Sequence, residues 1–116
     1  MHVNIGSPYQ IEFFNSTVEG EVANWPAGIA AHFSLIAQRI VEHGPDLGMP
    51  HTRALGQGLF EVRARGREGI SRALFCVLHE RRVVILHAFI KKTRALTDQD
   101  LSIARRRLKQ VRDDKR

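Results

Sequence analysis

Three segments rich in strand-forming residues, Leu59–Arg65, Ile70–Leu78 and Val83–Phe89, follow one another with only Gly66–Gly69 and His79–Arg82 between them. Joints that short hold hairpins and nothing larger, so this part of the chain must fold as a meander of three antiparallel strands. The first segment alternates: Phe60, Val62 and Ala64 face one way, and Glu61, Arg63 and Arg65 the other. The second and third are apolar on both faces for much of their length, as in strands covered on both sides. Cationic side chains stand at the margins of this sheet. Arg63 and Arg65 lie on the first strand, Arg72 early in the second, and Lys91 and Lys92 where the third runs out. A small sheet with a cationic face suits a phosphate-bearing partner.

Charge is divided unevenly along the chain. Residues 1–52 carry one base, Arg39, against five acids, whereas residues 53–116 carry seventeen bases against seven acids. Positive charge confined to one half implies a directed basic surface rather than general solubility. With 116 residues, 43% of them hydrophobic, one domain with a real core is expected. No apolar run is long enough to span a bilayer, and Met1–Pro8 lacks the charged and apolar regions of a secretory signal. A single cysteine, Cys76, placed mid-strand among apolar residues, fits a buried side chain in a reducing cytoplasm. Dinucleotide loops, P-loops, zinc-type Cys/His spacing and a nucleophile elbow are absent, so no cofactor or metal is implied.

Tyr9–Phe14 reads as a short strand. Ser16-Thr17-Val18-Glu19 has capping-box form and opens a helix to about Asn24, which Trp25-Pro26 interrupts. A second helix to His43 bears one apolar stripe, Ile29, Phe33, Ile36 and Ile40, and Gly44-Pro45 stops it. This helical hairpin must lay its stripe on the downstream sheet. Asp46–Gly58 reads as a loop. Thr97 opens a last helix with Asp98 and Asp100 in its first turn, an apolar seam of Leu101, Ala104, Leu108 and Val111, and a fraying end at Asp113–Arg116. The expected fold is α+β, a small antiparallel sheet packed against helices in the order β-α-α-β-β-β-α.

The block from Leu55 to Arg63 (LGQGLFEVR), then Arg65, Gly69-Ile-Ser-Arg72 and Leu86-His-Ala-Phe-Ile-Lys-Lys-Thr93, resembles the phage-derived, HigB-type (Gp49-like) branch of the RelE toxin superfamily. Its pattern is "GLxELR…GixRvly…lLHgFxKKt", and the likeness covers roughly residues 9–112. The resemblance implies a microbial RNase-like fold and a ribosome-dependent endoribonuclease that cuts mRNA. It implies a cognate antitoxin, a HigA-like helix-turn-helix protein. DNA would be met only through the antitoxin complex, and no membrane is involved. By position it assigns catalytic roles to Arg63, Arg72, His87, Lys91 and Lys92. RNA contact would add Arg65, Arg67, Thr93, Arg94 and, from the basic last helix, Arg105 and Arg106.

The chemistry is compatible. RNA breaks when its 2′-OH attacks the adjacent phosphate, and the developing dianion needs cations aimed at it, which arginine forks provide. A proton must also leave the 2′-OH and another reach the departing 5′-oxygen. His87 is the first candidate for that transfer, since imidazole titrates nearest neutrality. It shares its face with Val83, Ile85 and Phe89 in a regular strand, so a core histidine is the competing reading. The chain departs from the family in having one tyrosine, Tyr9, and none near its C-terminus. The general acid is left open among His87, Lys91 and Lys92. Arg63 and Arg65 could instead pair with Glu61 or Glu68 as ordinary surface residues. His2, His32, His43, His51 and His79 show no ligand spacing. A non-catalytic nucleic-acid or ribosome binder and a phage structural or assembly protein are the rival functional classes.

Overall fold

The computed structural model describes residues 8–91 and 95–114, with Lys91 described through its backbone alone. The expectations for Met1–Ser7, for Lys92, Thr93 and Arg94, and for Lys115 and Arg116 lie outside those residues. The chain runs β1 (Gln10–Phe13), α1 (Ser16–Ala23), α2 (Ala27–His43), β2 (Thr52–Gly56), β3 (Leu59–Gly66), β4 (Gly69–Leu78), a 3-10 turn at His79–Arg81, β5 (Arg82–Lys91) and α3 (Asp98–Asp113). One sheet of order β1-β5-β4-β3-β2 results. The α+β architecture and the central β3-β4-β5 meander are as the sequence implies.

Two features differ from that reading. The sheet is mixed, because β1 pairs parallel to β5 while every other pairing is antiparallel. It also has a fifth strand: β2 lies in the stretch read as loop. Its five residues are too few and too exposed for periodicity to show, and it gains its order from neighbours instead. The buried Thr52 hydroxyl accepts from the amides of Leu47 and Gly48 at 2.9 and 3.1 Å, anchoring the incoming chain. The outgoing turn, Gly56-Gln57-Gly58, has positive φ at all three residues, which two glycines make cheap.

Helices cover both faces. The α2 stripe Ile29, Phe33, Ile36 and Ile40 is buried with Val18 and Trp25 against Val62, Ala64, Ala73, Phe75, Val83 and Ile85. On the other face Ala104 and Leu108 of α3 pack on Leu59, Leu74, Cys76, Val84 and Leu86. Each large aliphatic side chain so buried contributes about 1.5–3 kcal/mol, which is why strands apolar on both faces need both layers. Cys76 is buried and its thiol pKa is pushed up to about 11 by that burial, so it is an inert core group. The α1 cap is Asn15, one residue before the expected Ser16, its side chain accepting from the Val18 amide at 2.9 Å. Thr97 and Asp100 form a full capping box at α3, which persists through Asp113 rather than fraying there. Among the described residues no helix is long and apolar enough to cross a membrane.

One irregularity decides the geometry of the site. In the β4–β5 ladder Leu74 faces His87 but Phe75 faces Ile85, so Leu86 is an extra, bulged residue. Up to Ile85 the odd-numbered residues of β5 look toward α2. Past the bulge His87 lies opposite Leu74 and looks toward α3.

Two stability predictions follow from this packing. A methyl group on Gly66 would come within 2.6 Å of the Ile29 amide nitrogen and 2.7 Å of the Gly28 carbonyl carbon, both backbone. Gly66→Ala is therefore expected to destabilise by about 1–3 kcal/mol in thermal or urea unfolding. Arg82 donates through Nε and Nη2 to the Glu12 carboxylate at 2.8 and 2.9 Å, tying β1 to β5. That hydrogen bond, against a smaller opposing effect of burial, holds the Glu12 carboxyl below its usual range. Both side chains are about a third exposed, so after screening Glu12→Gln should cost only about 0.5 kcal/mol. A depressed carboxyl stabilises above its unfolded pKa. The difference between native and variant should thus be complete above about pH 4.3 and disappear as pH falls through the lower folded value.

Candidate functional site

Strand alternation and register place the charged residues of β2, β3, β4 and β5 in rows on the face that α3 only half covers. One row crosses the sheet as Arg53, Glu61, Leu74 and His87. The next is Arg63, Arg72 and Phe89, and the one beyond it is Arg65, Ile70 and the backbone of Lys91. The first turn of α3 ends over His87, while its apolar seam occupies the opposite half of this face.

At the centre lies Glu61, wholly buried. Its Oε1 accepts from Arg53 Nε at 3.0 Å and Nη2 at 2.9 Å, and its Oε2 accepts from Arg72 Nη1. Arg72 itself is only 2% exposed. The resemblance gives Arg72 a catalytic role; in the structure it is a buried cation held by a buried carboxylate. Arg63 is half-buried directly opposite Arg72, and like charges so placed repel. Burial first, then the nearby charge of Arg72, lowers the Arg63 pKa; Glu61 opposes this, and Arg65 and Arg53 add to it. Two guanidiniums thus grip one carboxylate, and a third, that of Arg63, lies within reach of its charge. The Nε atoms of Arg63 and Arg72 are buried without an acceptor among the described residues. Arg65 is exposed on the same face. Such a surplus of positive charge, with donors unsatisfied, favours an anion.

His87 stands next to this cluster. Its Nε2 lies 2.9 Å from Asp100 Oδ1, and Asp100 Oδ2 accepts from the Thr97 hydroxyl at 2.7 Å. An ionised Asp100 can only accept, so Nε2 carries the proton and Nδ1 is the ring position left for other chemistry. The Phe89 ring packs on the imidazole with centroids 4.9 Å apart. Since Leu74 is opposite His87, Arg72 is its diagonal neighbour, a relation that spaces residues by about 7–8 Å.

The structure therefore places Arg63, Arg65, Arg72 and His87 in successive rows of one sheet face, with the Lys91 backbone in the row of Arg65. Arg67 projects from the β3–β4 turn, exposed. Arg105 is engaged elsewhere: it donates to the carbonyls of Leu55 and Gly56 and to Gln57 Oε1, at the opposite end of β3 from Arg65. Arg106 is exposed on α3. Of the surface pairings considered from sequence, Glu68 instead accepts from the Gly28 amide at 3.1 Å. Among the described residues no three His, Cys, Asp or Glu side chains converge as metal ligands. A cleft lined by Val77, Leu78, His79, Arg82, Val111 and Arg112 lies at the other end of the sheet.

Sequence reasoning missed Glu61, Arg53 and Asp100 as members of this site. Alternation did place Glu61 beside Arg63, but nothing local shows that Arg53 and Arg72 would close on it. Asp100 was read as a helix-dipole acid, and only tertiary packing sets its carboxylate against His87.

The model of the phage-derived protein Gp49-like family (DUF891) matches residues 21–109, more than three quarters of the chain. That span takes in Arg53, Glu61, Arg63, Arg65, Arg72, His87 and Asp100. No curated protein matches the chain significantly.

Replacing Glu61 by glutamine would leave Arg72 as a buried cation without its counter-charge, at a cost of about 3–5 kcal/mol. Glu61→Leu combined with Arg72→Met should cost far less than the sum of the single changes. Urea unfolding of the double-mutant cycle reads this coupling directly.

Proposed function

This chain belongs to the phage-derived Gp49-like family, and on that premise we propose that it is the toxin of a type II toxin–antitoxin system, an endoribonuclease acting on mRNA in the ribosome. The single observation that carries this reading is the cluster of Arg63, Arg65 and Arg72 beside a histidine whose Nε2 is fixed by Asp100.

In this mechanism the ribosome presents an mRNA phosphodiester to the sheet face. Arg63 and Arg65 bind its non-bridging oxygens, while Arg72, held by Glu61, strengthens the positive field from beneath. The 2′-oxygen attacks phosphorus, giving up its proton; the bond to the 5′-oxygen breaks, and that oxygen takes a proton. The products are a 2′,3′-cyclic phosphate and a 5′-hydroxyl. His87 Nδ1 moves one of these protons, and Lys91 or Lys92 is proposed for the other. Thr93, Arg94, Arg67 and Arg106 would steady the RNA backbone. Dependence on the ribosome suits an open sheet face, since positioning a flexible strand is worth several orders of magnitude in rate. A cognate antitoxin, helix-turn-helix in type and acidic or apolar where it docks, would cover the same positive surface.

One observation favours a second reading. With Arg72 buried in an ion pair, fewer cations can reach the reacting phosphate, which suits a protein that occupies the ribosome or nucleic acid without cutting it.

Primer extension on mRNA from arrested cells separates the two. Cleavage predicts new 5′ ends, reduced about 10²–10³-fold in Arg63→Ala and about 10²–10⁴-fold in His87→Gln. Growth arrest without new 5′ ends would leave only binding.

A further inference from the structure

We propose that Arg107 is a positioning residue for His87, acting through the β5 bulge; the inference rests on the reading of His87 as the proton-transfer group. Without the bulge at Leu86, a regular β5 would turn His87 toward α2 with Val83 and Ile85, away from Asp100 and the arginines. The bulge is thus what delivers the imidazole to the site, and something must hold it there.

The structure shows what does. A bulge takes its extra residue out of the ladder, and here the Leu86 carbonyl accepts from Arg107 Nη1 at 2.7 Å. The preceding carbonyl, of Ile85, accepts from the Phe14 amide at 2.8 Å. The Arg107 guanidinium also lies over the Phe14 ring, 4.9 Å from its centroid. The two carbonyls flanking the bulge are therefore fixed by groups that touch each other. Arg107 follows Asp100 by seven residues on α3, two helical turns along the same face. One helix thereby grips β5 twice, by Asp100 on the His87 ring and by Arg107 on the adjoining backbone.

Among the described residues Arg107 makes this contact and no ion pair. It is half-buried, its pKa is lowered first by burial and then by Arg106, and its hydrogen bond is to a neutral carbonyl. An arginine kept under those conditions on a helix with exposed basic positions to spare is explained by the carbonyl it holds.

The test compares native protein with Arg107→Gln and Arg107→Lys by nitrogen-15 spectra of the His87 ring. The native ring should show a proton fixed on Nε2. Arg107→Gln should move both ring nitrogens toward tautomer-averaged values, with Arg107→Lys restoring part of the native pattern. Ring shifts unchanged in Arg107→Gln would overturn the proposal. Should Arg107→Gln fail to fold, Arg107→Lys, which keeps the charge and loses the fork, decides by the same comparison. In ribosome-programmed cleavage, kcat should fall about 10–100-fold in Arg107→Gln with KM little changed, and Arg107→Gln should add no further loss to His87→Gln. Additive losses would count against it. If His87→Gln cleaves at the native rate, the catalytic reading of His87 fails by itself, while the ring shifts still judge the role of Arg107.

Discussion

A buried carboxylate between two guanidiniums holds the working face of this protein together. Glu61 is fully enclosed and shared by Arg53 and Arg72, so it joins β2, β3 and β4 through charge as well as through the ladder. Burying an ion pair is expensive and seldom adds net stability, so its presence in a small sheet asks for another reason. That reason is electrostatic. With Glu61 in place Arg72 can sit beneath the surface directly opposite Arg63, and the pair raises a positive field that neither could sustain alone on adjacent strands. The part of the face nearest solvent, Arg63 and Arg65, then inherits a field stronger than its own two charges.

The second constraint is the break in β5. A regular strand cannot give Val83 and Ile85 to the α2 core and His87 to the opposite face, because alternation has a period of two. Inserting Leu86 resolves this locally, letting one strand serve a core at one end and a charged site at the other. The helix that covers half of this face also supplies the groups that fix the break and the ring beyond it, Arg107 and Asp100. The helix that packs on this face and the helix that sets the His87 ring are in this sense the same element.

Much of this was legible in the chain, and the rest was hidden for identifiable reasons. Local patterns were readable: the α2 stripe, the outward arginines of β3, the Thr97 cap and the short hairpin joints of the meander. Features that exist only between elements were not. β2 is too short to show a period and becomes a strand because β3 offers an edge and Thr52 an anchor. A bulge leaves no local mark in a run as uniformly apolar as VVILHAF, so strict alternation placed His87 on the wrong face. The burial of Arg72 could not be read either, since an arginine after a turn looks exposed until its partner is found eleven residues upstream.

If the toxin reading holds, RNA lies on the arginines of the face that carries His87. The most direct measurement is a cryo-electron microscopy structure of the His87→Gln protein on a ribosome programmed with mRNA. The β3–β4–β5 face should lie against the message, with Arg63 and Arg65 on one phosphate and position 87 beside the adjoining ribose. A complex in which that face points to solvent, with α3 or the cleft near Leu78 against the RNA, would contradict it.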